Sequence, residues 1–417
     1  MGLSKYGLES WIKVCGRQLK HLVSSQQVQM EADRVWSGVE KCLFGNGNTI
    51  HFQKWYDLKS IDGKSNLNGA KFHVHTMTAE WTGLTLSCVI RKKRAPYIAA
   101  SLNGNVAYCA IARKMFDSGW RYYAVLCIRG KAVPNGRRSG KGALGIDPGV
   151  STMAAMGTET GFLEELAPKV PEYNKQIRDL QYHMEASRRK TNPQKYLPDG
   201  AIDPKNRDRW VCSSRYKRNL QKLRVVYRKK AAYIKQDHAE RANRFLEATD
   251  HIYIEKMDYR ALQKRAKKTE RQGHASAVRK KDGTETTVFK FKRKKRFGHS
   301  LNNRAPAMFL TILNRKAAML DIPVEEIVTS SYKASQYDHV AGQCTKVPLP
   351  QKEKTIGGKL VQRDLYSAFL IQNPEPDRKH PDRRKCSERF PDFLKIQERI
   401  LNTLKSSGQS MPQCFGF

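Results

Sequence analysis

The sequence predicts a multi-domain α+β protein, and three changes of texture along its 417 residues carry that expectation. Apolar residues recur at helical spacing up to about Phe44, β-prone segments broken by Gly, Asn and Pro fill 49–142, and strands alternate with helices over 143–373. A chain this long has room for two or three separate cores.

In the first stretch, 1–48, the apolar series Leu19, Leu22, Val28, Ala32, Val35, Val39 and Leu43 predicts one or two helices, which "FGNGN" ends with turn residues. Over 49–142 the segments "KFHVHTMT", "GLTLSCVIRK", "APYIAASLNGNVAYCAIARKM" and "WRYYAVLCIRG" predict an antiparallel, barrel-like β domain. His73 and His75 have the spacing of a metal pair, yet they also suit one face of a strand, and no third ligand lies near them. Trp81, Trp120 and Tyr122 are read as core aromatics of the same domain. The Gly-rich basic stretch "VPNGRRSGKGALGID" leads into the next domain.

From 143 to 373 the predicted order is strands at 143–147, 150–157 and 161–166, helices at 172–190 and 214–249, a strand at 251–256, a helix at 305–320, a strand at 323–329 and a helix at 362–372. A basic insertion, 258–304, interrupts this series. Its stretch from 260 to 304 holds 16 Lys or Arg against 3 acids. In "FKFKRKKRF" aromatics interleave with Lys290, Lys292, Arg293, Lys294, Lys295 and Arg296, which suits phosphate contact combined with stacking on bases or sugars. After Asn373 a Pro-rich charged stretch, a short amphipathic segment (390–404) and a polar end predict a largely mobile basic tail, 374–417.

Lys and Arg number 77 against 39 Asp and Glu, a formal charge of +38, which is costly self-repulsion unless a polyanion is the usual partner. No apolar run reaches membrane-spanning length, so nucleic acid is preferred over a membrane surface and a cytoplasmic protein is expected. The nine cysteines are scattered and never spaced C-x-x-C, so they read as reduced structural thiols.

Against this basic background three acids stand out. Asp147 closes the apolar strand "ALGID", Glu255 closes "HIYIE", and Asp364 lies in the apolar helical stretch "VQRDLYSAFLI". Carboxylates in such settings are costly to desolvate alone, and a hard divalent cation, Mg²⁺ or Mn²⁺, would offset that cost. Two such ions held by carboxylates can hydrolyse a phosphodiester. Taken singly, each acid is more often a helix cap or a surface ion-pair partner, and only their order and contexts together are more specific.

The series "GIDPGVSTMAAM", "IYIEKMDYRAL" and "QRDLYSAFLI", with "APAMFLTILNRKAAMLDIPVEEIVTSSYKASQYDH" ahead of the third motif, resembles the split RuvC nuclease domain, of RNase H-like fold, found in TnpB proteins and compact type V CRISPR effectors. The resemblance spans about 143–373. It implies a helical recognition-type segment at 1–48 and a wedge-like β domain at 49–142. It also implies that Asp147, Glu255 and Asp364 are the catalytic, metal-binding triad for two Mg²⁺ ions. The implied activity is RNA-guided DNA cleavage, with guide RNA and target double-stranded DNA as partners. Arg363, beside the third acid, is expected to touch nucleic acid. Members of the family often carry two C-x-x-C pairs before the third acid. Here the loop 330–361 offers only His339 and Cys344, so no zinc is expected. The chain enters helix almost at once, which implies a reduced recognition lobe. A guided repressor without nuclease activity and an unguided RNase H-like transposase or resolvase are the competing readings.

Overall fold

The structure is a computed structural model that describes residues 4–45, 47, 49–52, 58–130, 132–133, 139–263, 273, 275–279, 284–289, 297–348, 351–406 and 415. The chain divides into two compact units, Met1–Asn135 and Gly136–Phe417.

The first unit opens with helices α1 (Lys5–Gln18) and α2 (Ser25–Leu43). Ser4 caps α1, and a reciprocal capping box of Ser24 and Gln27 starts α2, which is why the chain turns sharply between them. The elements that follow are β1 (Ser60–Asp62), β2 (Lys71–His73), β3 (Thr78–Trp81), β4 (Leu84–Ser87), α3 (Ala95–Leu102), β5 (Val106–Phe116) and β6 (Gly119–Ile128). They correct the expected domain in several places. The described strands form two open three-stranded sheets, β1-β5-β6 and β2-β3-β4, and not a closed barrel. The segment "APYIAASL" is helical, because Pro96 sits in its first turn with a pre-set φ and Ala and Leu favour helix. Tyr122 is 65% exposed on the β5–β6 hairpin and is therefore not a core aromatic. His73 pairs with Glu80 across the sheet at 3.0 Å, while His75 falls in the turn after β2, so the two rings do not share a strand face.

The second unit is built on a five-stranded sheet. Its strands are β7 (Ala143–Pro148), β8 (Thr152–Met156), β9 (Gly161–Glu165), β10 (His251–Glu255) and β13 (Val324–Ile327), in the order β13-β10-β7-β8-β9. The first three in that order run parallel, and β8 and β9 continue from β7 as an antiparallel meander. Every residue of β8, "TMAAM", is buried, as a strand covered on both faces requires.

Between β9 and β10 lie α4 (Val170–Thr191) and α5 (Ser214–Glu247), joined by a loop that the Asn192 side chain ties to both backbone groups of Val211. The insertion after β10 contributes α6 (Tyr259–Gln263), the hairpin β11 (Ser276–Arg279) and β12 (Glu285–Val288), and α7 (Gly298–Arg304). Lys290, Lys292, Arg293, Lys294, Lys295 and Arg296 lie outside the described residues. Helix α8 (Pro306–Ala318) precedes β13. Next come α9 (Thr329–Tyr332) and two small hairpins, β14 (Tyr337–Asp338) with β15 (Gln343–Cys344), and β16 (Glu353–Ile356) with β17 (Lys359–Gln362). The chain then enters α10 (Arg363–Gln372) and α11 (Arg383–Ser406).

Two apolar cores sandwich the sheet. One joins its strands to Ala242, Phe245 and Leu246 of α5 and Phe309, Ile312 and Leu313 of α8. The other joins them to α10 and to Cys386, Phe393 and Ile396 of α11. The expected mobile tail is thus overturned over 383–406. An apolar stripe at Cys386, Phe390, Phe393, Ile396 and Ile400 recurs at helical spacing within a charged composition and finds a partner in α10. Among the described residues no helix is long and apolar enough to cross a membrane, and Cys42, Cys88, Cys109, Cys127, Cys212, Cys344 and Cys386 are free thiols.

Candidate metal centre

Strand parity decides where the first two acids point. Leu144 and Ile146 of β7, and Ile252 and Ile254 of β10, enter the core against α5 and α8. Alternation then turns Gly145, Asp147, Tyr253 and Glu255 toward α10. The two strands are parallel with Ile146 beside Ile254, so Asp147 and Glu255 emerge side by side at adjacent carboxyl ends. In open α/β sheets that edge is where ligands bind.

The third acid arrives on α10. A Cβ on Gly145 would meet Ala368 O at 2.2 Å and Gln372 N at 2.3 Å, so the helix backbone rests directly on β7, and only glycine permits this approach. The Gln372 amide donates to Ala143 O at 3.0 Å and fixes the far end of the contact. At the near end Gln362 caps the helix by accepting from Leu365 N at 2.7 Å. Gln397 of α11 holds that cap, accepting from Gln362 N at 2.8 Å and donating to Leu360 O at 3.2 Å. Asp364 therefore sits in the first turn of α10, where the helix dipole favours a carboxylate.

The electrostatics of the three acids are coupled. Burial, followed by the charges of Glu255 and Asp364, pushes the Asp147 carboxyl well above the usual carboxylate range; Arg363 and Lys352 pull the other way. Burial also raises Glu255, and a hydrogen bond from Asp147 partly offsets this. Burial thus opposes ionisation of both acids at once. Asp364 is held differently. Lys352 Nζ donates to its Oδ2 at 2.7 Å, and Arg363 Nη2 and Nε donate to its Oδ1 at 3.0 and 3.2 Å. Arg363 is only 7% exposed and also donates to the carbonyls of Gln351 and Pro348, so its described bonds all turn inward.

Among the described residues, no group of three His, Cys, Asp or Glu side chains stands ready to hold an ion. The donor set nonetheless fits Mg²⁺ or Mn²⁺. It is all oxygen, its first two acids are desolvated against each other, and such ions need only a few carboxylates because they retain waters. The sequence did not single out Lys352 or Tyr259. Tyr259, four residues after Glu255, is buried with its hydroxyl raised by burial and by the charges of Asp147 and Glu255. Its place in "IEKMDY", at the start of the short helix that follows the acid's strand, is the signal that would have found it. The route to Lys352 is the β16–β17 register, which pairs Glu353 with Gln362 and sets Lys352 beside Arg363, a pairing no local pattern announces.

His339 and Cys344 do not approach each other as a ligand pair. The His339 ring is buried against Tyr366 and Phe390, with Nδ1 2.7 Å from the Tyr366 hydroxyl, while Cys344 is exposed on β15. Burial lowers the His339 pKa, which keeps the ring neutral inside this aromatic cluster.

No known protein family and no curated protein matches this chain. Among solved structures it is similar to a chain of a Cas12f1–sgRNA–target DNA complex, at 12% identity and a TM-score of 0.48, covering 89% of this chain and 76% of the other. It is also similar to a chain of a CRISPR-Cas12f ternary complex, at 13% identity and a TM-score of 0.31, covering 90% and 75%.

Proposed function

We propose that this chain is an RNA-guided DNA endonuclease that hydrolyses phosphodiester bonds at a RuvC-type site formed by Asp147, Glu255 and Asp364. The observation that carries the proposal is the placing of Asp147 and Glu255 at adjacent carboxyl ends of a sheet whose strand order and directions suit an RNase H-like fold, with the helix that carries Asp364 packed on β7. Guide RNA and target double-stranded DNA are the proposed partners, resting on the motif series and the +38 charge.

In this reading the three acids would hold two Mg²⁺ or Mn²⁺ ions, which when bound supply an activated water and stabilise the leaving oxygen. The protein's own contribution is positional. Gly145 lets α10 lie on β7, Gln362 and Gln397 fix its first turn, and Arg363 orients the Asp364 carboxylate with a forked contact. Tyr259, at the start of the insertion, is buried near the Asp147–Glu255 pair, and its hydroxyl reaches Gly149 O at 3.5 Å.

The guided part is tested by purifying the full chain and sequencing the RNA that accompanies it. One species with a constant scaffold and a variable end is expected. Heterogeneous RNA, or none, would overturn guidance and favour the unguided transposase. A guided repressor without cleavage has one observation in its favour, the engagement of both Asp364 oxygens by cations. It predicts target DNA binding with no cleavage product at any Mg²⁺ concentration.

A further inference from the structure

Both oxygens of Asp364 are occupied, but the two cations are built differently. Arg363 is adjacent in the chain, nearly buried, and anchored by Gln351 O and Pro348 O as well as by the acid. Its fork is part of the frame. Lys352 lies at the foot of the β16–β17 hairpin, and Asp364 is the only side-chain partner of its ammonium among the described residues. A lysine ammonium is a compact charge on a flexible four-carbon stem, so it can leave one anion for another at little cost in backbone movement.

Without any metal, Asp364 is already paired with two cations, Lys352 Nζ at Oδ2 and Arg363 Nη2 at Oδ1. A divalent ion seated on Asp364 Oδ2 would take the place of Lys352 Nζ, and one seated beside it would meet a like charge at short range. A phosphodiester entering the site offers the ammonium a second anion.

We infer that Lys352 is a displaceable counter-ion of Asp364, which a divalent ion must replace and which a nucleic-acid phosphate draws away, so that ion binding and strand binding are coupled. This rests on the nuclease reading above and adds its regulation: the site binds its ion weakly until a strand is present. By linkage the coupling is reciprocal, and the ion tightens strand binding by the same factor.

The test is Mn²⁺ binding to the full-length protein, read from the electron paramagnetic resonance signal of free Mn²⁺, with and without a short oligothymidylate and after subtracting the Mn²⁺ held by the oligonucleotide alone. Wild type is expected to bind Mn²⁺ weakly alone and about tenfold tighter with the strand, within the usual range for coupled sites. Lys352→Met is expected to bind about tenfold tighter alone, with no further gain from the strand. Lys352→Arg, which keeps the charge, should bind Mn²⁺ as weakly as wild type in the absence of the strand. Thermal unfolding followed by circular dichroism confirms that each variant is folded, and Lys352→Gln replaces the Met variant if that one is not. Lys352→Met binding no tighter than wild type, while Asp147→Asn weakens binding, would overturn the counter-ion role and leave the triad standing. Binding unchanged by Asp147→Asn would overturn the metal centre itself.

Discussion

On the face of the central sheet covered by α5 and α8, β7 and β10 present Leu144, Ile146, Ile252 and Ile254, all buried with Phe245, Phe309 and Leu313. On the opposite face the same two strands present Gly145, Asp147, Tyr253 and Glu255, covered by α10. The first face is apolar to the end of the strands and only binds the layers together. The second begins with a glycine that admits a helix backbone and ends in two acids whose burial is a stability cost. One parity of each strand thus supplies fold, and the other supplies the candidate site.

The largest effects expected are in the two cores. Phe309→Ala on the apolar face and Phe393→Ala on the α10 face should each cost about 3 to 5 kcal/mol by denaturant unfolding, as fully buried phenylalanines do. Only Phe393→Ala should also reduce cleavage where both variants remain folded, because α11 carries Gln397; equal loss in both would remove the distinction between the faces. Gly145→Ala follows, at about 1 to 3 kcal/mol, since the new methyl meets helix backbone that cannot shift alone. Its cleavage should fall further than its folded fraction. Gln397→Ala should cost about 1 kcal/mol and slow cleavage by loosening the first turn of α10. The smallest effect has the opposite sign. Asp147→Asn should gain about 0.5 to 1 kcal/mol in metal-free buffer, because it removes a buried carboxyl that lies near the charges of Glu255 and Asp364, while abolishing cleavage. A loss of stability would mean that Asp147 is a structural acid.

Much of the second unit was legible because its periodicities are strong. "ALGID" and "HIYIE" end apolar strands in acids, and the 3.6-residue pattern of α5, α8 and α10 survives their charges. Three features were not legible, each because a partner or position outside the local pattern decides it. The C-terminal helix reads in the sequence only as a short amphipathic segment, 390–404, and what fixes it, the packing of its Phe393 on Tyr366 and Phe369 of α10, is not visible in its own charged composition. Lys352 reaches Asp364 only through hairpin register. Ala95–Leu102 has both apolar content and a Pro, and the place of that Pro in the first turn decided for helix. Asp147, Glu255 and Asp364 are candidates that the chain itself offers; the groups that hold the third acid are not.

The central claim is that these three acids form one hydrolytic centre. Its most direct test is Mg²⁺-dependent cleavage of duplex DNA matching the co-purified RNA, by wild type and by Asp147→Asn, Glu255→Gln and Asp364→Asn separately. Cleavage by wild type and a loss of about a hundredfold or more in every variant, with guide RNA still bound, is the predicted result. Wild-type cleavage in any one of the three would contradict it.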